Sequence, residues 1–274
     1  MKADLHMHTT FSDGRKTYQE VMDLAKKNGV DVISITDHDT VRDVEQLQAY
    51  AKKIGITYIP GIELSTIYKG KSVHVLGYFT DQSYLDESLL KYTKQIKHDR
   101  EERARKMIAL LKEHYDIEIT YEDVKNEAYG IIARPHIAKA IIKRYPEYTH
   151  NQIFDTMIGD ECKAYLPSVE LGLDEGLAFL DKFSCVKVLA HPVLIKKHIR
   201  DEVLSRTYDG IEAVYYQNSE EDTIHYKNIV KEKGILYTAG SDYHGIEYDS
   251  KHGEIGTCTI TGEALDAFLA KIGE

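Results

Sequence analysis

Short apolar runs rich in β-branched residues alternate along the chain with stretches whose apolar positions recur at helical spacing. This is the pattern of a parallel sheet wrapped by helices. The first unit reads as a strand over Ala3 to His8, a helix over Tyr18 to Asn28 ending at Gly29, and a second strand over Val32 to Thr36. A helix through Val41 to Ile54, stopped by Gly55, leads to strand-like Ile56 to Ile59 and a Pro60-Gly61 turn. Further strands are predicted at Ser72 to Phe79, Val186 to Ala190, Gly210 to Tyr216 and Ile235 to Ala239. Between Tyr84 and about Ala164 the strand signal disappears, and several helices are expected there, among them a long charged one through His98 to His114. The expectation is an α/β barrel formed by residues 1–97 and 165–274, interrupted by a helical insertion at 98–164.

Composition narrows the class. A chain of 274 residues with 42% hydrophobic and 29% charged residues can bury a full core. Its formal charge of −10 speaks against coating long duplex nucleic acid, which needs a broad basic surface. Nothing at Met1-Lys2-Ala3-Asp4 resembles a secretory signal. No apolar run of about 18 residues occurs, so a cytoplasmic protein without membrane contact is expected. Cys162, Cys185 and Cys258 are scattered without a CxxC pairing, and read as buried free thiols.

The chemistry lies in where histidines and acids fall, because they recur at the C-terminal ends of predicted strands, the rim that carries active sites in parallel barrels. His6 and His8, two apart on a strand, point to one face and could grip one metal. Asp13 follows in the loop, where Asp-Gly is also a common turn dipeptide. The second strand ends in Thr36-Asp37-His38-Asp39; helix capping accounts for Asp39 and leaves His38 unexplained. Pro60-Gly61-Ile62-Glu63 delivers a carboxylate, and His74 sits among apolar neighbours, where a hydrogen-bonded core histidine is the plainer reading. Ala190-His191-Pro192 and Gly240-Ser241-Asp242-Tyr243-His244 complete the series. Each motif alone is weak. Together six of the thirteen histidines and three acids converge on one rim, as a metal site requires.

The ordered set HxH, TDHD, GxE, AHP and GSDxH resembles the PHP (polymerase and histidinol phosphatase) phosphoesterase family. That resemblance implies a distorted seven-stranded (β/α) barrel and three divalent metals. His6, His8, Glu63 and Asp242 would hold the first, Asp13, His38 and His244 the second, and Glu63, His74 and His191 the third. Six imidazoles and three carboxylates suit Mn, Fe or Zn. A metal-bridging hydroxide, rather than a protein nucleophile, would then attack a phosphate ester. Ala133-Arg134-Pro135-His136 opens a predicted helix. It is similar to the branch of that family that removes the 3′-phosphate of nucleoside 3′,5′-bisphosphates or trims short 5′-phosphorylated oligonucleotides. By that likeness Arg134 and His136 would bind substrate phosphate. The partner is thus a small anionic phosphorylated molecule, a nucleotide or short oligonucleotide. A histidinol-phosphate-type phosphatase and a non-catalytic metal-binding module are the alternatives. Asp4, Asp37 and Asp39 would orient ligands. The remaining histidines, His98, His114, His150, His198, His225 and His252, read as surface residues. Tyr165, Tyr215, Tyr216 or Tyr243 could stack on a base, though packing is the plainer role.

Overall fold

The computed structural model describes residues 1–128, 130–167, 171–247 and 249–273. Its strands are β1 (Lys2–Asp4), β2 (Val32–Ile35), β3 (Thr57–Tyr68), β4 (Lys71–Phe79), β5 (Leu171–Gly172), β6 (Cys185–Leu189), β7 (Gly210–Tyr215), β8 (Leu236–Gly240) and β9 (Ile260–Thr261). The α-helices are α1 (Tyr18–Lys27), α2 (Val44–Ile54), α3 (Glu87–Tyr115), α4 (Tyr121–Glu127), α5 (Arg134–Arg144), α6 (His150–Ile153), α7 (Leu173–Leu180), α8 (Lys197–Leu204), α9 (Glu220–Lys233) and α10 (Gly262–Ile272). No helix among the described residues is long and apolar enough to cross a membrane.

Two compact units result, one of residues 1–90 with 170–274 and one of residues 91–169. In the first, the sheet runs in the order β8-β7-β6-β4-β3-β2-β1-β9, with β5 paired to β3. The chain beyond β1 then meets the end of β8: Leu5 N–H donates to Ala239 O at 3.0 Å, Asp242 N–H to His6 O at 2.8 Å and His8 N–H to Tyr243 O at 2.9 Å. These bonds close β1, β2, β3, β4, β6, β7 and β8 into a barrel. Because the closure is irregular, the strand expected over Ala3 to His8 is regular only through Asp4.

The sheet is mixed rather than parallel. β3 and β4 form an antiparallel hairpin, and β4 pairs antiparallel with β6. Its cause is local: Lys69 and Gly70 between the two strands have φ of 48° and 72°, the left-handed pair that a two-residue hairpin turn demands. The expected Pro60-Gly61 turn is absent. β3 runs straight through it, Pro60 pairing with Ile35, because Gly61 lets the backbone pass Ser34 and Thr36 where a Cβ would collide with both. Ala3, Leu5, Val32, Ile59, Leu76, Tyr78, Val188 and Phe268 are among the residues of the barrel core. Helix ends follow their capping chemistry. Thr17 and Glu20 form a capping box on α1, Ser219 and Asp222 another on α9, and Gly55 ends α2 in the left-handed region.

The second unit is helical. Met107, Leu111, Ile119, Val124, Ile137, Ile141, Ile153 and Ile158 bury against one another from α3 to the turn after α6. The long helix is larger than expected, from Glu87 to Tyr115.

Candidate metal centre

All nine residues singled out on the strand ends gather in the barrel unit. His6 and His8 follow β1 and His38 follows β2. Glu63 lies in β3 and His74 in β4, while His191 follows β6, and Asp242 and His244 follow β8. Asp13 reaches them from the loop after β1, which is tied down on both sides. Thr9 N–H, Thr9 Oγ1 and Ser12 Oγ all donate to Asp37, at 2.8, 2.6 and 2.5 Å, and Arg15 N–H donates to His244 O at 2.8 Å. Asp39 accepts the Ser65 N–H at 2.8 Å, and Asp4 accepts those of Ser241 and Gly256 at 3.0 and 2.9 Å. These three buried aspartates hold the loops that carry the cluster.

Glu63 stands at the middle. Its Oε2 lies 3.2 Å from His6 Nε2, 3.1 Å from His8 Nε2 and 3.2 Å from His38 Nδ1. Its Oε1 lies 2.8 Å from His74 Nδ1 and 2.9 Å from His191 Nε2. Asp242 Oδ1 completes one side, 3.3 Å from His6 Nε2 and 3.1 Å from His8 Nε2. On the other, Asp13 Oδ1 is 3.3 Å from His244 Nε2, and Asp13 Oδ2 is 3.9 Å from His38 Nε2. Donors bound to one cation at about 2.0–2.2 Å stand roughly 3.0–3.4 Å apart, the spacing found around Glu63 and Asp242. His6, His8, Glu63 and Asp242 form one group with ligand atoms within 4.8 Å of one another; His8, Asp13, His38 and His244 form a second, and His38, Glu63 and His74 a third.

Ring orientation fits cation binding as well. His6 Nδ1 donates to Glu212 Oε1 at 3.0 Å, and His244 Nδ1 to the Asp242 carbonyl at 2.7 Å, so each presents its Nε2 lone pair to the cluster. Glu63 Oε2 and His38 Nδ1 are buried without a hydrogen-bond partner although they face each other at 3.2 Å. Two acceptor atoms so placed call for a cation between them. Backbone at two of the nine residues is left-handed without glycine, φ being 26° at His191 and 55° at Asp242. Strain of this kind collects at functional sites.

The electrostatics point the same way. Burial opposes charge on His6 and His8, yet Glu212, Glu63 and Asp242 hold His6 well above the ordinary imidazole value. Against the same burial, Asp242 and Glu63 push His8 from 6.5 to about 10. Burial would raise the Asp13, Glu63 and Asp242 carboxyls, but the imidazoles around them hold all three well below the usual range. At His38 burial prevails and lowers the pKa to about 4. Protons on both His6 and His8 would repel across the 3.2 Å between their Nε2 atoms. A divalent cation placed there satisfies the carboxylates and both rings together.

Some residues at the centre escape a reading of strand ends. Glu212, fully buried in β7, accepts from His6 Nδ1 and from the His191 N–H at 2.8 Å, so one carboxylate fixes two candidate ligands. Tyr215 is buried, donates its hydroxyl to Asp242 Oδ2 at 3.0 Å and packs its ring 5.3 Å from that of His191. His252, expected on the surface, is instead stacked on His244 with ring centroids 4.0 Å apart. In the helical unit, Arg134 opens α5 and donates to Asp160 Oδ1 at 2.7 Å, its guanidinium 5.2 Å from the Tyr165 ring and 5.8 Å from that of Phe154. His136 is buried in the first turn, where its Nδ1 accepts the Ala133 N–H at 2.9 Å.

Comparison with known proteins agrees with this geometry. The family profile described as "PHP domain" matches residues 4–160. A 5′-3′ exoribonuclease of Haemophilus influenzae is 26% identical over 89% of this chain and 90% of its own length. A 3′,5′-nucleoside bisphosphate phosphatase of Chromobacterium violaceum is 26% identical over 88% of this chain and 86% of its own. A phosphoribosyl 1,2-cyclic phosphate 1,2-diphosphodiesterase of Eggerthella lenta is 23% identical over 89% and 95%. The solved structure of a protein described as a candidate metal-dependent phosphoesterase, from Bifidobacterium adolescentis, superposes with a TM-score of 0.81 at 25% identity, covering 99% of this chain and 98% of that one. With the profile spanning more than half of its 274 residues, and the motifs meeting in one centre, the chain belongs to the PHP domain family.

Proposed function

We propose that the chain is a metal-dependent phosphoesterase, its substrate either the 3′-phosphate monoester of nucleoside 3′,5′-bisphosphates or the phosphodiester links of short 5′-phosphorylated oligonucleotides. The observation that carries the chemistry is Glu63. Its two oxygens face separate sets of imidazoles, the disposition of a carboxylate that bridges cations. In this reading His6, His8, Glu63 and Asp242 hold one divalent cation, Asp13, His38 and His244 a second, and Glu63, His74 and His191 a third. Bound cations, Mn, Fe or Zn by their donors, supply Lewis acidity and bring the pKa of a water from 15.7 to about 7.

The chain's own residues contribute binding and orientation. Three carboxylates against three divalent cations leave the centre positive, which favours an anionic substrate even on an acidic protein. Ser12 Oγ is engaged with Asp37, and no side chain is assigned as nucleophile. Arg134 and His136 are assigned to a phosphate of the substrate. An Arg at a helix start opposes the macrodipole, and its planar fork suits two phosphate oxygens. The exoribonuclease and bisphosphate phosphatase names of two relatives support this substrate class.

The test is direct. Protein purified and loaded with Mn is offered adenosine 3′,5′-bisphosphate, a short 5′-phosphorylated oligoribonucleotide and histidinol phosphate in competition. Release of phosphate or mononucleotide from either of the first two is expected. Inactivity on both with every divalent metal removes the proposal, and strong preference for histidinol phosphate replaces its substrate.

A further inference from the structure

The loop after His244 places a seventh imidazole beside the centre. His252 Nδ1 lies 2.6 Å from Asp249 Oδ2. The other oxygen of Asp249 accepts the Lys251 N–H at 2.8 Å and the His252 N–H at 3.3 Å, so the aspartate is locked by its own turn. Two further bonds hold the loop down: Gln217 Nε2 donates to Lys251 O at 2.6 Å, and Gly253 N–H to Ser241 O at 2.7 Å. Gly253 eases this approach, since a Cβ would come within 2.8 Å of Thr257 Oγ1 and 3.1 Å of Ser241 O.

With Nδ1–H given to Asp249, His252 Nε2 is left as an acceptor 4.0 Å from Asp242 Oδ2. That oxygen is also an acceptor, taking the Tyr215 hydroxyl. Two acceptors 4.0 Å apart are too far for a direct hydrogen bond. The gap matches two metal–ligand bonds of about 2.0–2.2 Å laid nearly end to end. A carboxylate behind the far ring nitrogen is the usual support of a metal-ligating histidine.

We infer that Asp242 Oδ2 and His252 Nε2 hold a further divalent cation at the edge of the centre. Asp242, His244 and His252 offer ligand atoms within 4.8 Å of one another. His244 supplies the ring on which His252 stacks, its own Nε2 being turned to Asp13. Asp242 thereby bridges, Oδ1 to the His6–His8 side and Oδ2 to the edge. With two firm protein donors, this cation is the weaker and more exchangeable one. It rests on the reading of the nine residues as a metal centre.

Metal-free protein prepared with a chelator is titrated with Mn alone, free Mn being followed by electron paramagnetic resonance, for the wild type, His252→Gln, His252→Phe and Asp249→Asn. The phenylalanine keeps a ring against His244 and removes both nitrogens, so an equivalent lost in it is not lost through packing. The wild type is expected to bind one Mn per chain more than either His252 variant, in a weak class. Asp249→Asn is expected to weaken that class by about 10-fold or more, as loss of a supporting carboxylate does. Tight sites equal in all four proteins, with no weak equivalent that depends on His252, overturn this inference and leave the main centre standing. Absence of any bound Mn, Fe or Zn in the wild type overturns both.

Discussion

Glu212 shows how one side chain can orient two candidate ligands. It accepts from the His6 ring and the His191 backbone with no solvent exposure. Glu212→Gln keeps its shape but puts an amide donor or a weaker acceptor against each group. We expect metal affinity to fall by about 10- to 100-fold, as for other residues that orient ligands, with the barrel still folded. Metal titration alongside circular dichroism checks this; unchanged affinity removes the role. Gly240 is the companion case, since a methyl there would collide with His6 Cβ and Glu212 Oε1. Gly240→Ala should cost about 1–3 kcal/mol by overpacking, and should weaken metal binding with it; a melting temperature equal to the wild type's would contradict the close approach. His6, His8, His38, His191, Asp242 and His244 were legible because they break the apolar pattern where a strand ends, whereas Glu63 and His74 lie inside β3 and β4 and Asp13 in a loop. Glu212 breaks it too, a carboxylate inside the apolar run Gly210 to Tyr216, and a buried charge needs a partner. That signal was available. His252 gave none, since its loop is charged and its place over His244 depends on close approach at Gly253.

Elements were legible where their period was long and misread where one turn decided. Helices α1 and α2 fall on the stretches expected at Tyr18 to Asn28 and Val41 to Ile54, and the expected strands at Val186 and Gly210 fall on β6 and β7. A single dipeptide reversed the direction of β4: Lys69-Gly70 makes the hairpin, and with it the antiparallel part of the sheet. Pro60-Gly61 misled in the opposite sense, a turn signal absorbed within a strand because Gly61 fits against Ser34. Helix α5 permits a test that separates stability from binding. Arg134 stands at its N-terminal end, where a cation opposes the helix dipole. Its ion pair with Asp160, a residue 66% exposed, adds little. Arg134→Ala should therefore leave the melting temperature nearly unchanged while raising KM for a nucleotide substrate by about 10-fold or more, as loss of a charge-assisted phosphate contact does. Arg134→Lys should restore only part of it, because the ammonium lacks the fork. An unchanged KM in both variants would release Arg134 from the phosphate, whatever happens to stability.

At the scale of the whole molecule, the centre makes stability depend on pH with opposite signs in the two forms. Without metal, His8 is raised from 6.5 to about 10 against its burial by Asp242 and Glu63, and His6, against the same burial, is held well above 6.5 by Glu212, Glu63 and Asp242. A histidine whose folded pKa is raised contributes stability that is complete below the unfolded value and is lost as pH climbs through the folded one. The metal-free protein should therefore lose stability from pH 6.5 toward 10. Cations need neutral imidazoles, so their binding releases protons and tightens as pH rises over the same range. The stabilisation by metal, which grows with the ratio of free metal to its dissociation constant, must then grow with pH. Thermal melts between about pH 6.5 and 8.5, with chelator and with Mn, would read both slopes. A melting temperature that falls with pH in chelator, and a Mn-induced increment that rises, is the expected pair. An increment that shrinks as pH rises would mean that protons do not leave when the cation enters. The imidazoles around Glu63 would then not be the ligands.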